Sequence, residues 1–313
     1  MMESLSPNQR AWRRFKQNRP AVFSMVFLAV LCLLVLVWPL FSKPSLAGVL
    51  PKGVTHSPVE LSDQPFATPN GTYWLGTDVN GRDLLSRIMH GARISILVGI
   101  VGALVSLIIG VLWGAIAGYI GGWWDGAMMR FVDILYSLPS IVFVIVLITT
   151  LEELVKGWFT ATFGANIAQY TRMSFLFVGI GAVSWLTMAR IVRGQVLSLK
   201  NRQFVNASRS LGAGPSRILF RHILPNVIGI IIVYITLTVP SVILYESFLS
   251  YLGLGIQPPF ASWGSLISEG AAQLNPVRIN WWLIVFPAAT LVSTLLALNF
   301  FGDGLRDAFD PRG

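Results

Sequence analysis

The sequence is poor in cysteine, histidine and charge, and each shortage excludes a class of site or protein. The one cysteine, Cys32, excludes a disulfide within the chain, and because it lies in an apolar run we expect a small buried side chain. His56, His90 and His222 are far apart in sequence, so no metal site is expected from them. Charged residues make up 12% of the chain, against roughly 25% in soluble domains, which argues against a soluble protein.

The sequence also lacks the motifs of common catalytic sites. It has no Gly-x4-Gly-Lys-Ser/Thr phosphate loop, no His-Glu-x-x-His and no Gly-x-Ser-x-Gly. We therefore expect that the chain is not an enzyme and carries no cofactor. A membrane-embedded hydrolase is the rival class, but it would need a catalytic pair facing a cavity, and the apolar runs offer few ionisable groups to build one.

Hydrophobic residues make up 54% of the sequence and gather in runs long enough to cross a hydrocarbon core of ~30 Å. They predict an all-α polytopic membrane protein with six transmembrane helices. The first run is longer than the apolar part of a signal peptide and lacks a small-x-small cleavage site, so we expect it to be retained. The predicted segments are a basic tail (1–21), a first transmembrane helix (22–42), an external segment (43–93), a region of five helices (94–302) and a second tail (303–313).

Basic residues predict the orientation of these spans. The net charge of +9 is also typical of nucleic-acid-binding proteins, but here the basic residues lie beside the apolar runs. Such residues favour the cytoplasmic face of a membrane. The basic tail, and a denser basic cluster at 190–221, therefore predict that both termini and the loop after the fourth span are cytoplasmic.

The five later spans are predicted from their charge-free runs. Pro139 is expected to kink the third run, and Glu246 is expected to close the fifth. The half-polar stretch through Pro258, Pro259 and 262–264 is expected in the outer interface. Residues 157–172 are predicted to form an external loop or interfacial helix of unassigned role. The runs are 94–124, 134–151, 173–189, 223–245 and 279–302.

The second run contains a repeat of small residues at every fourth position. On a helix these positions share one face, which lets another backbone approach closely. Scattered flexible glycines are the alternative, but the strict register favours a packing face. The residues are Gly102, Ser106, Gly110, Gly114 and Gly118.

The external segment is dense in aspartate and arginine, between Leu75 and Arg93. Taken alone, this density predicts a structural cluster of ion pairs rather than a binding site. Arginine on the outer side is tolerated because long loops are translocated largely regardless of charge.

Residues 203–225, which we call the 203–225 loop, lie between two apolar runs and are polar and basic. Gly212 is placed to end a first short helix in the left-handed conformation. Pro215 suits the first turn of a second short helix, and Pro225 is expected to play the same part for the span that follows. An ordinary solvated loop is the alternative interpretation.

The spacing within this loop resembles the EAA loop of binding-protein-dependent ABC importer permeases. That motif has Glu-Ala-Ala, three residues, Gly, nine residues and Ile-x-Leu-Pro. Ala207, Gly212, Leu224 and Pro225 fall in register. The departures are Asn206 in place of Glu, Ser208 in place of Ala and His222 in place of Ile, and the first puts one contact of the family's carboxylate in doubt.

Further strings resemble the C-type permease subunit of oligopeptide importers. They are Gly-Thr-Asp…Gly-Arg-Asp in the external segment and the stretches 188–195, 221–226, 246–255 and 302–311. The resemblance covers the chain from about residue 75 to its end, together with the basic tail and single span in front. It implies a type I ABC importer permease fold with a cytoplasmic coupling helix, in the inner membrane.

The resemblance also implies partners and roles. The chain would form half of a heterodimeric pore, with a sister permease, two ATPase subunits that hold ATP and Mg²⁺, and a periplasmic or lipid-anchored peptide-binding protein. In that family the second short helix docks on the ATPase, where Arg217 is the expected charge contact. The expected coupling residues are Asn206, Ala207, Ser208, Gly212, Pro215, Arg217, Leu224 and Pro225.

Several alternatives stay open from sequence. Relatives of this kind carry dipeptides, nickel or haem as well as oligopeptides, and the residues that line the translocation path are not identified by any motif. A stand-alone membrane channel is the rival from another class, although a channel would not need the 203–225 loop.

Overall fold

The computed structural model describes residues 7–41, 51–150, 165–258, 260–276 and 278–309. This part of the chain consists of helices and their connections, and its extended pairing is confined to two isolated β-bridges, Thr77–Asp83 and Asn275–Arg278. The prediction of an all-α fold is therefore confirmed.

The helices are numbered in chain order. Their bounds are α1 Pro7–Gln17, α2 Arg19–Phe41, α3 Lys52–Thr55, α4 Leu84–Ile120, α5 Gly122–Ser137, α6 Ser140–Thr150, α7 Ala165–Leu199, α8 Gln203–Ser210, α9 Pro215–Arg217, α10 Leu224–Tyr251, α11 Trp263–Ala272 and α12 Trp282–Phe309. A π-helical segment, Ile218–Ile223, joins α9 to α10.

Within the described ranges, five helical stretches are long and apolar enough to cross a membrane. They are α2, α4, the later part of α7, the stretch from α9 to α10, and α12. The bent pair of α5 and α6 supplies a sixth if it counts as one span. With the bent pair counted as one span, the total agrees with the six that the sequence predicts.

The third predicted span is not one kinked helix. α5 and α6 meet at an angle of 95°, and Leu138 between them is extended, with φ −80° and ψ 139°. Pro139 explains the break, because its ring excludes the α conformation from the preceding residue and it has no N–H to bond to the turn before. The run 134–151 therefore begins inside α5, and its last residue lies outside the described part of the chain.

Pro225 does not begin a separate helix, as the sequence had suggested. The helix runs without a break from Pro215 to Tyr251, and the N–H of Leu224 donates to the carbonyl of Leu219, five residues back. The wider π-helical turn accommodates a proline that lacks the donor of a regular turn. The second short helix and the fifth span are thus one rod.

Several helices extend beyond the charge-free runs. α4 begins at Leu84 because Asp83 caps it: the N–H of Ser86 donates to Asp83 Oδ2 at 2.8 Å. α12 continues to Phe309 and includes the charged residues Asp303 and Arg306. A helix satisfies its own backbone in water as in lipid, so it need not end where the apolar run ends.

The chain divides into two compact units. The first comprises Met1–Gln17, Ile100–Val242 and Gly302–Gly313, and the second comprises Asn18–Gly99 and Ile243–Phe301. In the first unit, buried aliphatic side chains of α7 pack with those of α8 and the π-helical segment. This core cluster contains Ala115, Met188, Val192, Val196, Val205, Ile218, Leu219, Ile223, Val227 and Ile231.

One expectation for the second unit is wrong, and another stays a prediction. Cys32 is exposed rather than buried, because α2 buries one stripe at helical spacing, through Leu31, Val35 and Trp38, and Cys32 lies off that stripe. Ser262 and Trp263 are fully buried, since Ser262 caps α11 and Trp263 follows it into the core. The position of this stretch in the outer interface stays a prediction. Pro259 lies outside the described residues.

Candidate functional site

The 203–225 loop turns sharply between α8 and α9. Gly212 has φ +81°, its N–H donates to the carbonyl of Arg209, and the N–H of Ala213 donates to the carbonyl of Ser208, both at 3.0 Å. These bonds satisfy carbonyls at the end of α8. A Cβ at Gly212 would meet nothing within 4 Å, so the glycine is required by the backbone conformation and not by space. The break predicted at Gly212 is present, and Pro215 lies in the first turn of α9.

One side of this loop is held firmly in the core of the first unit. Val205 of α8 and Ile218 and Ile223 of the π-helical segment are fully buried. They pack with Val192 and Val196 of α7. Burial of this many aliphatic groups fixes the orientation of both short helices on the bundle.

The rest of the loop is exposed and carries large apolar side chains among polar and basic ones. Leu211 is 88% exposed, Phe220 56% and Phe204 40%. Arg209 and Arg217 are exposed beside them. Large apolar side chains rimmed by charge are typical of an interaction surface. The loop is therefore a rigid projection with one anchored and one unpartnered side.

The predicted coupling residues fall into two groups. Asn206 and Ser208 are used within the loop, since Asn206 Nδ2 donates to the carbonyl of Asn201 at 3.3 Å and Ser208 Oγ donates to that of Phe204 at 2.9 Å. Asn206 thus takes part in local structure at the position where the EAA motif has a carboxylate. All eight coupling residues reach the surface at least in part, and the other six are Ala207, Gly212, Pro215, Arg217, Leu224 and Pro225.

The small-residue stripe of α4 lies against α7 and α10 within the first unit. A Cβ at Gly110 would lie 2.6 Å from Met188 Cβ, and one at Gly118 would lie 2.9 Å from the carbonyl oxygen of Arg193. A Cβ at Gly114 would overlap the carbonyl oxygen of Ala189, and one at Gly102 would lie 2.7 Å from Val242 Cγ1. Ser106 is fully buried.

Two features of this packing escaped the sequence. Gly181 of α7 packs against the stripe from the facing helix, since a Cβ there would lie 2.8 Å from the carbonyl oxygen of Gly102. Asp125 of α5 forms a bidentate ion pair with Arg193 of α7, with N–O distances of 2.5 and 2.7 Å. A buried acid opposite an arginine inside an apolar helix was the available signal.

The ion pairs predicted in the external segment are present in the second unit. Arg87 Nη1 lies 2.7 Å from Asp78 Oδ2 and 2.6 Å from Glu269 Oε2, and Arg82 Nε lies 2.6 Å from Asp78 Oδ2. Glu269, on α11, was not predicted because it is remote in sequence. Arg87 and Asp78 are buried, and a buried charge needs such a partner.

The position of Glu246 differs from the one predicted from the sequence. It lies inside α10, fully buried, whereas it was expected to close the span. Ser250 Oγ donates to Glu246 Oε1 at 2.6 Å and Ser95 Oγ to Oε2 at 3.4 Å. Each carboxyl oxygen thus has a hydroxyl partner within the second unit.

The arrangement of the 203–225 loop supports docking of a partner. Within the described ranges, no group of three His, Cys, Asp or Glu side chains is placed to hold a metal ion. The 203–225 loop offers exposed apolar side chains, three exposed arginines (Arg209, Arg217 and Arg221) and a continuous helical connection to a membrane-spanning helix.

Comparison with known proteins agrees with this geometry. Residues 110–312 match the family described as binding-protein-dependent transport system inner membrane component, and residues 6–58 match the N-terminal transmembrane domain of oligopeptide transport permease C. A solved structure of the MetNI methionine ABC transporter in inward-facing conformations is similar in fold. Its TM-score is 0.51 at 19% identity, covering 72% of this chain and 97% of that one.

The similar curated proteins are permeases. The oligopeptide transport system permease protein OppC of Escherichia coli K12 is 48% identical, over 99% of this chain and 93% of its own length. OppC of Haemophilus influenzae is 45% identical, over 99% and 90%. The dipeptide transport system permease protein DppC of Bacillus subtilis is 40% identical, over 99% and 87%.

Proposed function

We propose that this chain is a permease subunit of an ATP-driven peptide importer. The chain belongs to the family of binding-protein-dependent transport system inner membrane components. The observation that carries the proposal is the 203–225 loop, whose inner side is anchored in the core and whose outer side exposes Leu211, Phe220 and Arg217. The chain as a whole spans the membrane several times and lies in the inner membrane.

The proposed partners are those implied by membership of the family of binding-protein-dependent importers. Two ATPase subunits hold ATP and Mg²⁺, in agreement with a sequence that has no phosphate loop of its own. A sister permease supplies the other half of the pore, and a periplasmic or lipid-anchored binding protein delivers the peptide. Oligopeptides are the proposed substrates, because the relatives named OppC are more similar than the one named DppC. Dipeptides, nickel and haem are the other substrates to test.

The proposed mechanism uses the continuous rod from Pro215 to Tyr251. Closure of the ATPases moves the loop that docks on them, and the buried contacts of Ile218 and Ile223 transmit that movement to α7. Because α9, the π-helical segment and α10 form one helix, a displacement at Pro215 also tilts the fifth span. A flexible loop would absorb the same displacement.

Orientation is part of the proposal. We place both termini and the 203–225 loop in the cytoplasm on the basic cluster at 190–221. Single cysteines at Ser208 and Thr68, in a Cys32→Ser background, should react with impermeant reagents from opposite sides of the membrane. Labelling of both from the outside contradicts this orientation.

The function is tested by copurification and uptake. The tagged chain should bring down a second permease and two ATPases, and a strain lacking it should lose oligopeptide uptake. Dipeptide, nickel and haem uptake, measured in the same strain, identify the substrate. A chain that purifies alone and conducts solutes without ATP would be a channel, which contradicts the proposal.

A further inference from the structure

The first unit contains a half-open cavity of about 610 Å³ between α7, α10 and α12. This volume lies within the range of roughly 300–1,000 Å³ that is usual for small-molecule sites. Its lining combines aliphatic side chains with amides, a phenol and two guanidinium groups. The polar side chains of the lining are those of Arg190, Gln195, Asn226, Tyr234 and Arg306.

The two arginines of the cavity differ in what balances their charge. Arg190 is paired, since its Nη2 lies 2.7 Å from Asp133 Oδ1 and its guanidinium lies 4.2 Å from the centre of the Tyr136 ring. Arg306 is exposed, and no carboxylate of the described residues lies within ion-pair distance of it. The cavity therefore carries one guanidinium whose planar set of donors is open to an anion, and a carboxylate fits that set with two parallel bonds.

The amides of the cavity favour a peptide over a phosphate. Asn226 Nδ2 donates to the carbonyl of His222 at 2.6 Å, which leaves Oδ1 as an acceptor. Gln195, on the facing helix α7, offers both a donor and an acceptor. A peptide presents N–H and C=O groups that pair with both kinds, whereas a phosphate group has acceptors for the donors alone.

Two glycines keep the cavity open. A Cβ at Gly194 would meet nothing within 4 Å, and one at Gly229 would meet only Phe309 Cδ1, at 3.8 Å. Neither glycine has a positive φ. Close packing therefore does not account for these glycines, and a side chain at either position would occupy the cavity.

We propose that this cavity binds the C-terminal end of a short peptide, with the guanidinium of Arg306 paired to the terminal carboxylate. The inference rests on the proposed function, which supplies the peptide, and it deepens it by naming the feature of the peptide that is recognised. Gln195 and Asn226 pair with the last peptide groups, and Ile230, Val233 and Phe309 contact the side chains without selecting among them.

Peptide binding to the purified permease–ATPase complex tests this directly. The complex is kept free of nucleotide and of the binding protein, which could itself select the carboxylate. The probes are trialanine with a neutral fluorophore on its N-terminus, as the free acid and as the C-terminal amide, followed by fluorescence anisotropy. The amide loses the charge-assisted pair, and water screens part of that pair because Arg306 is exposed, so the acid should bind severalfold more tightly than the amide.

Variants locate the site within the chain. Arg306→Gln should weaken binding of the acid severalfold and leave the amide unchanged, and Arg306→Lys should retain part of the difference. Gly229→Val should weaken both probes by filling the cavity. Arg130→Gln and Gly126→Val are the matched controls on α5, where Arg130 is exposed and a Cβ at Gly126 meets nothing within 4 Å; they should change neither.

Several results would overturn the inference. They are the absence of measurable binding to the wild-type complex, equal binding of acid and amide, and an Arg306→Gln variant that binds the acid normally. If Arg306→Gln instead loses bound phosphatidylglycerol in native mass spectrometry, the cavity is a lipid site; if it loses the sister permease, the cavity is a subunit contact. A complex that imports peptides but fails these tests overturns the cavity alone, whereas one that imports no peptide overturns the proposed function.

Discussion

Glycine serves opposite purposes in two regions of the first unit. Along α4, Gly110 and Gly114 lie where a side chain would strike Met188 and the backbone of Ala189. In the 203–225 loop, Gly212 has open space around it but a φ of +81°. The stripe is glycine because another helix is close, and the loop is glycine because its backbone must turn.

The difference predicts which property each region controls. A larger residue on the stripe separates two helices that form the body of the unit, so it acts on folding and assembly. A β-branched residue at Gly212 leaves the body intact and changes the angle of a projection. Stability and coupling to partners should therefore be separable by substituting one kind of residue in two places.

The largest effect is expected for Gly114→Leu, because its Cβ would overlap a backbone carbonyl that cannot rotate away. Overpacking typically costs about 1–3 kcal/mol, and a clash with backbone belongs at the upper end of that range. The yield of assembled complex after detergent extraction should fall severalfold, and Gly110→Leu should behave alike. Gly126→Leu on α5 is the matched control and should be extracted normally. A normal yield for Gly114→Leu would show that α4 and α7 are not in close contact.

A smaller loss of stability is expected for Arg193→Gln, which breaks the ion pair between Asp125 of α5 and Arg193 of α7. It leaves the buried carboxylate of Asp125 without its partner. Because the Arg193 side chain is 34% exposed, water offsets part of the loss, and we expect a cost of about 1–2 kcal/mol. The melting temperature of the purified complex should fall, and the double variant Arg193→Gln/Asp125→Asn should recover part of it. Equal melting of wild type and single variant would contradict a structural role for this pair.

The fold was predictable where a single local rule decides the outcome. The four-residue register of the stripe, the left-handed Gly212 and the charge-free runs each follow from one helix or one turn, and the all-α prediction is confirmed. Prolines were harder to interpret, because their effect depends on the surrounding turn. A helix ends just before Pro139, whereas Pro225 lies inside a continuous helix, shortly after its π-helical segment.

Features that need two distant segments were not predictable from the sequence. Glu269 and Arg193 complete ion pairs with residues remote in sequence, and Gly181 faces the stripe from another helix. The burial of Glu246 and the exposure of Cys32 depend likewise on which face of a helix meets the rest of its unit. Hydrophobic runs specify that a helix spans the membrane, but an evenly apolar helix does not indicate its inner face.

Gly212→Val should affect transport while leaving the body of the molecule folded. A β-branched residue in the left-handed region costs roughly 1–2 kcal/mol, which the exposed turn relieves by changing its angle. We expect normal membrane insertion, reduced peptide uptake, and ATP hydrolysis that the loaded binding protein no longer stimulates. Gly212→Asn should retain most activity, because asparagine tolerates this conformation. Native transport and full coupling in Gly212→Val would show that the 203–225 loop is an ordinary connection.

The smallest effect, and the most specific, is expected for Arg217→Glu. Arg217 is exposed on α9, so reversing its charge changes the surface of the loop and not its fold. If this surface docks on an ATPase, the Arg217→Glu variant should bind the ATPase more weakly than wild type does at low ionic strength. Added salt should reduce this difference, because ions screen exposed charges within about 10 Å at 0.1 M. Leu211→Ser, on the apolar part of the same surface, should weaken ATPase association with little dependence on salt. Arg130→Glu, which makes the same charge reversal on α5, should leave ATPase association unchanged. Association that is indifferent to both Arg217→Glu and Leu211→Ser would place the docking surface elsewhere on the chain, even if the glycine stripe behaves as described.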